Sequence, residues 1–91
     1  MKTIYKFPVA IMDEQPFHLP EDAELLSVVE QRGSVVLYVL ADFSQPSNVR
    51  HTIKIFGTGH SINENEGYKF LDTVKMGDGI LMWHIFFKKG R

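Results

Sequence analysis

An all-β fold, a single small sandwich or barrel of five to seven mostly antiparallel strands joined by short hairpins, is what these 91 residues predict. Three observations carry the expectation. No stretch keeps the 3.6-residue apolar spacing of a helix over about ten positions. Segments rich in Val, Ile, Leu and aromatics instead alternate in period two or run as short apolar blocks. Clusters of Gly, Pro, Asn, Asp and Ser punctuate the chain at intervals near ten residues, the spacing of hairpin-connected strands. Nothing marks a linker, a repeat or a second domain, so residues 1–91 are expected to form one β domain.

Thr3 to Phe7 is the first strand, which Pro8 ends or confines to a sheet edge because it offers no N–H to a ladder. Pro16 to Pro20 is a short extended piece leading into the acidic turn Glu21-Asp22-Ala23. Glu24 to Gln31 has the length of a helix, yet its Val-Val pair and the Arg32-Gly33-Ser34 turn favour a strand. Strict alternation would put Leu25, Ser27, Val29 and Gln31 on one face and Leu26, Val28 and Glu30 on the other. Val35 to Ala41 is β-branched and almost wholly apolar, the expected centre of a sheet. After the loop Ser44 to Asn48, the segment Val49 to Phe56 alternates most cleanly. Val49, His51, Ile53 and Ile55 oppose Arg50, Thr52, Lys54 and Phe56, which reads as a half-buried strand with a basic, solvated face. Gly57-Thr58-Gly59-His60 breaks it, Ile62 to Gly67 is polar with room for one helical turn, and Tyr68 to Met76 is a strand. Gly77-Asp78-Gly79 turns into a final strand, Ile80 to Phe87, and Lys88 to Arg91 reads as a frayed basic tail. That last strand is apolar on both faces apart from His84. It is either covered by a second copy of the chain or central in its own sandwich or barrel.

Composition narrows the function classes. Ten Lys and Arg stand against eleven Asp and Glu, with 44% hydrophobic residues and a pI near 6.4. That describes a globular domain rather than a disordered tail, and a nucleic-acid polymer is a poor match for so little excess positive charge. No apolar run approaches the length of a membrane span, and the N-terminal Met1 to Met12 reads as a strand rather than a leader, so no membrane association is expected. The absence of cysteine removes disulfides, thiolate metal sites and Cys nucleophiles, and suits a reducing cytoplasm. Charge is uneven: residues 1–45 carry a net −4 and residues 46–91 a net +3. If the halves lie on different faces, the molecule is dipolar, which suits contact with a like molecule or an anion on the second half.

Gly57-Thr58-Gly59-His60-Ser61 is the one segment with the look of a site. Two glycines around a threonine let successive N–H groups converge on an anion, and Thr58, His60 and Ser61 add side-chain donors. Its spacing matches neither the P-loop nor the dinucleotide fingerprint. A strand-ending turn is the plainer meaning. Arg50 and Lys54, on one strand face, would supply cations for a phosphate, and Tyr68 or Trp83 a surface for a base. The histidines at 18, 51, 60 and 84 show no metal-binding spacing, and His84 in its apolar strand reads as a hydrogen-bonded core residue, so no metal or cofactor is expected. Ser27 and Ser61 lack any motif presenting a nucleophile with its base, and no catalytic residue is expected.

Tyr5-Lys6-Phe7-Pro8, Gly57-Thr58-Gly59-His60 and Trp83-His84-Ile85-Phe86 together resemble a small family of uncharacterised bacteriophage and prophage proteins. These proteins share aromatic-Lys-aromatic-Pro, Gly-Thr-Gly-His and Trp-His-aliphatic-Phe motifs. Ser61 stands where that pattern leads one to expect proline. The resemblance implies a small β-rich accessory protein made inside the infected host cell, hence cytoplasmic, and implies no chemistry. Accessory proteins of this size often counter host defence, and one class of them sequesters nucleotide second messengers as oligomers. By that analogy the leading expectation is a homo-oligomer that sequesters a small anionic nucleotide through Gly57, Thr58, Gly59, His60, Ser61, Arg50, Lys54, Tyr68 and Trp83. The alternatives are an inhibitor that binds a host defence protein through an exposed apolar or acidic patch, to which Asp13, Glu14, Glu21, Asp22 and Glu24 would contribute, and a virion or assembly component.

Overall fold

The computed structural model describes residues 1–90 as a two-layer β-sandwich. The strands are β1 (Thr3–Val9), β2 (Glu14–Leu19), β3 (Glu24–Gln31), β4 (Ser34–Ala41), β5 (Val49–Gly57), β6 (Lys69–Met76) and β7 (Leu81–Lys89), with one 3-10 turn at Glu64–Glu66. One sheet has the order β1-β4-β3 and the other β2-β5-β7-β6, all neighbours antiparallel. The sheets do not close into a barrel. β4 is the middle of the narrower sheet, as its unbroken apolar run requires. Arg32 and Gly33, both at positive φ (52° and 83°), make the two-residue turn whose twist matches the flanking strands.

The period-two patterns choose the buried side. Val35, Leu37, Val39 and Ala41 of β4 face Val49, Ile53 and Ile55 of β5 and Ile85 of β7, and Leu37, Val39, Ala41, Ile53 and Ile85 are fully excluded from solvent. Pro8 and Pro16 both fall on edge strands, β1 and β2, where a missing N–H costs no ladder bond. Between those edges Phe7 meets Phe17 edge to face at 6.4 Å, and the Gln15 side chain bonds both the N–H and the carbonyl of Ala10 (3.1 and 2.7 Å).

Alternation in β3 departs from the sequence pattern. An irregularity between Leu25 and Ser27 inserts one extra residue, so Leu25 and Val28 both point into the core and Leu26 and Val29 are exposed. A second irregularity, between Phe70 and Asp72, lies in β6, the strand that packs beside β3. There the Asp72 carboxylate accepts from the Val28 N–H (3.1 Å) and the Thr73 N–H (2.9 Å), joining the edges of the two sheets. The basic tail is also corrected: Lys88 and Lys89 belong to β7, and Lys89 reaches the Glu21 carbonyl at 3.0 Å. Arg91 lies outside the described residues.

β7 is central in its sheet, and its outer side is covered in part by the chain itself. β5 and β6 both run antiparallel to β7 and so parallel to each other, and residues 58–68 must return along the sheet before β6 begins. They cross the outer face, where Glu66 contacts Lys54 and Tyr68 lies against Lys54 and Lys88. The face taken as basic and solvated is therefore half covered. Beside the crossing, Phe56, Phe86 and Phe70 form an edge-to-face row at 5.4 and 5.5 Å, with Phe70 56% exposed. The two charge halves fall largely on different sheets, β2 excepted, because β1, β3 and β4 form one sheet and β5, β6 and β7 lie in the other.

Replacing Asp72 by Ala leaves the Val28 N–H without its partner. We expect a loss of about 1–3 kcal/mol in urea denaturation, with Asp72→Asn closer to wild type. A midpoint unchanged in the alanine variant would show that the edge contact does not hold the sheets together.

Candidate functional site

Four connections gather at one end of the sandwich: residues 10–13, 32–33, 77–80 and the start of the 58–68 crossing. Gly57 ends β5 there, and His60 folds back onto it. The His60 N–H donates to the Gly57 carbonyl (3.1 Å), while the Gly57 N–H donates to His60 Nδ1 (3.1 Å). That second bond fixes Nδ1 as the acceptor and places the proton of the neutral ring on Nε2. A Cβ at Gly57 would sit 3.2 Å from the His60 ring, and Gly59 takes φ 92°, so this pairing explains both glycines. The Gly57 N–H is thereby committed to His60 rather than to an incoming anion.

Thr58 is engaged as well. Its hydroxyl pairs with His84 Nε2 at 2.9 Å, and His84 Nδ1 pairs with the Thr73 hydroxyl at 3.0 Å. A neutral imidazole donates from one nitrogen and accepts at the other, so one threonine accepts and the other donates. This chain ties the glycine turn to β7 and across to β6. His84 is half-buried and hydrogen-bonded, on the outer rather than the core side of β7.

His60 separates two open clefts. One, of about 430 Å³, is lined by Asp13, Glu14, Lys54, Ile55, Phe56, His60 and Ser61. The other, of about 310 Å³, is lined by Gly57, Thr58, His60, Ile80, Leu81, Met82 and Trp83. Lys54 donates to Glu66 at 2.8 Å and lies 3.7 Å from Glu14; the hydrogen bond to Glu66 raises its pKa. Its ammonium also stands 4.7 Å from the centre of the Tyr68 ring, whose hydroxyl reaches Glu14 at 3.4 Å. Burial, then the Glu14 charge, pushes the Tyr68 phenol up.

Of the residues singled out in the sequence, Gly57, Thr58, His60, Ser61, Lys54 and Trp83 thus line these clefts, with Gly59 in the turn between Thr58 and His60 and Tyr68 one contact away behind Lys54. Tyr68 and Trp83 lie on opposite faces of their sheet, since Trp83 packs against the core. Arg50 does not join them: seven positions separate it from Gly57, roughly 23 Å of extended strand. The acidic set divides too, with Asp13 and Glu14 at this end and Glu21, Asp22 and Glu24 at the other end of β2. Phe70 and Phe86 are not among the expected binding residues; Phe86 is marked in the sequence by its apolar strand and the Trp83-His84-Ile85-Phe86 motif, and Phe70 belongs to a bulge that alternation does not reveal.

His51 is the other unusual group. It is 1% exposed, and neither ring nitrogen has a hydrogen-bond partner among the described residues. Burial, then the Lys89 charge, lowers its pKa below the usual 6.5, against an opposing effect of Glu21. No group of three or more metal-ligating side chains occurs among the described residues, and no helix is long and apolar enough to cross a membrane.

Fold and clefts together define a small β-sandwich module with a histidine-centred cleft pair. Over residues 1–91 the chain belongs to the family described as Domain of unknown function (DUF7352). Comparison with curated proteins and with solved structures returns no match.

Below the usual pKa of 6.5, an unfolded His51 takes up a proton that the folded protein resists. Stability should therefore fall as the pH drops below about 6.5, by at most ~1.4 kcal/mol per pH unit from this group. Urea titrations across that range should show a shallower dependence in His51→Phe than in wild type; equal slopes would remove His51 as the source.

Proposed function

We propose that this chain is a non-catalytic binding protein for a small anionic, nucleotide-type ligand, held at the end of the sandwich around His60. The observation that carries the reading is the pair of clefts sharing His60 as their common wall. One is apolar and carries Trp83, Leu81 and Met82, the setting a base requires. The other offers Lys54, His60 Nε2 and Ser61, the donors a phosphate requires. In the free protein Glu14 and Glu66 hold the Lys54 ammonium, and an entering phosphate would take their place on it. Arg50 is too distant to reach the same ligand within one copy. The phage-type motifs support a cellular role as an accessory protein of the host cytoplasm, and the analogy to accessory proteins that sequester nucleotide messengers supports its acting as a homo-oligomer that sequesters a nucleotide signal.

Titration calorimetry with a panel of cyclic mono- and dinucleotides tests the site. His60→Ala and Lys54→Ala should each weaken binding about tenfold or more, the loss of a charge-assisted hydrogen bond, while Arg50→Ala changes nothing. No binding by any member, or equal binding by all three variants, would overturn the assignment.

A second reading rests on the same end of the molecule. Ile11, Met12 and Ile80 on its loops and Leu81 at the start of β7 are exposed, the kind of surface a protein partner covers. On that reading the chain inhibits a host defence protein. Pull-down from host lysate should then recover one stoichiometric partner, which the Met12→Glu, Ile80→Glu double variant loses.

A further inference from the structure

At the opposite end of the sandwich, an open cleft of about 630 Å³ lies between the β2–β3 connection, the N-terminus and the end of β7. His51 and Phe87 line it from the core side, with Lys2, Lys89, Asp22 and Glu24 among its other walls. We propose that this cleft is a second ligand site, one that takes a polyhydroxylated molecule, a sugar unit, with His51 bonding its hydroxyls. It is independent of the cleft pair around His60.

The argument begins with His51. A buried imidazole with no partner on either nitrogen is a rare arrangement, because each such group forgoes hydrogen bonds it makes in water. Its neutral ring lacks one acceptor for its N–H and one donor for its bare nitrogen. A hydroxyl is the group that supplies either role by rotating. The rest of the wall has the same mixed character. Two ammoniums donate and the carboxylates accept, so neither a simple anion nor a simple cation is favoured, while a molecule bearing several hydroxyls finds both kinds of partner. Phe87 adds an apolar surface for the C–H face of a sugar ring. The volume falls within the range of small-ligand sites.

Access runs past Lys89, the cross-strand neighbour of His51, whose ammonium holds the Glu21 carbonyl at 3.0 Å and its carboxylate at 3.5 Å. The side chains of that pair are 44% and 80% exposed, so the contact is weak and opens readily. Lys89 and Glu21 (on β7 and the β2–β3 connection), Asp22, Glu24 and Lys2 are the charged groups around the cleft. Opening the pair frees the Lys89 ammonium for the ligand and adds the Glu21 carboxylate as a further acceptor.

The test uses the full chain labelled with ¹⁵N at histidine and follows the ring nitrogens by long-range ¹H–¹⁵N spectra. Glucose, galactose, mannose and N-acetylglucosamine are each added to tens of millimolar. We expect at least one to shift the His51 nitrogens saturably while those of His60 and His84 stay in place. His51→Phe should retain the fold and weaken binding about tenfold, as loss of a hydrogen bond to a buried group does. Glu24→Ala, on the rim, should weaken the same sugar several-fold and serves if His51→Phe does not fold. No sugar shifting His51, or an affinity unaltered in both variants, overturns the proposal.

Discussion

β6 runs parallel to β5 with β7 between them, and the chain must therefore come back along the sheet between Gly57 and Lys69. Most of what distinguishes this molecule's surface depends on that return. It brings Glu66 and Tyr68 over Lys54 and begins at the Gly57–His60 turn. A hairpin in its place would leave the outer face of the wider sheet open and give Lys54 no carboxylate but Glu14. The same return converts a strand that is apolar on both sides into a central strand, with part of its second cover supplied in cis.

Three strands facing four leave the two sheets unequal, and the mismatch is absorbed where β3 and β6 meet. Each carries an extra residue at that edge, and the Asp72 carboxylate satisfies a backbone N–H from the facing sheet. Edge strands otherwise present unpaired backbone groups that invite association. Here β3 is answered by Asp72, while β1 and β2 carry prolines.

The ends of the sandwich differ in kind. At one, hydrogen bonds hold the histidine rings in place, His60 Nδ1 by the Gly57 N–H and both His84 nitrogens by Thr58 and Thr73, with His60 Nε2 left open. At the other, His51 is committed to nothing among the described residues. Rigidity from a closed hydrogen-bond network and an unmet hydrogen-bonding capacity are both ingredients of binding sites. They are separated here by the length of β5, which allows ligand binding at one end to be studied without disturbing the other.

The sequence by itself determined the β class, the inward row Val49, His51, Ile53 and Ile55 and the segment bearing His60, because period-two alternation and turn chemistry are local. It also marked Gly57 to Ser61 as the segment to watch. Only the tertiary structure decided that the Gly57 N–H and the Thr58 hydroxyl already have partners, and that Lys54 is paired with Glu66. It also separated Arg50 from the rest, and set Leu25 and Val28 on one face. Each of these depends on bulges, on cross-strand register or on a crossing between distant residues. Neighbours in sequence carry no record of which strand will lie beside them.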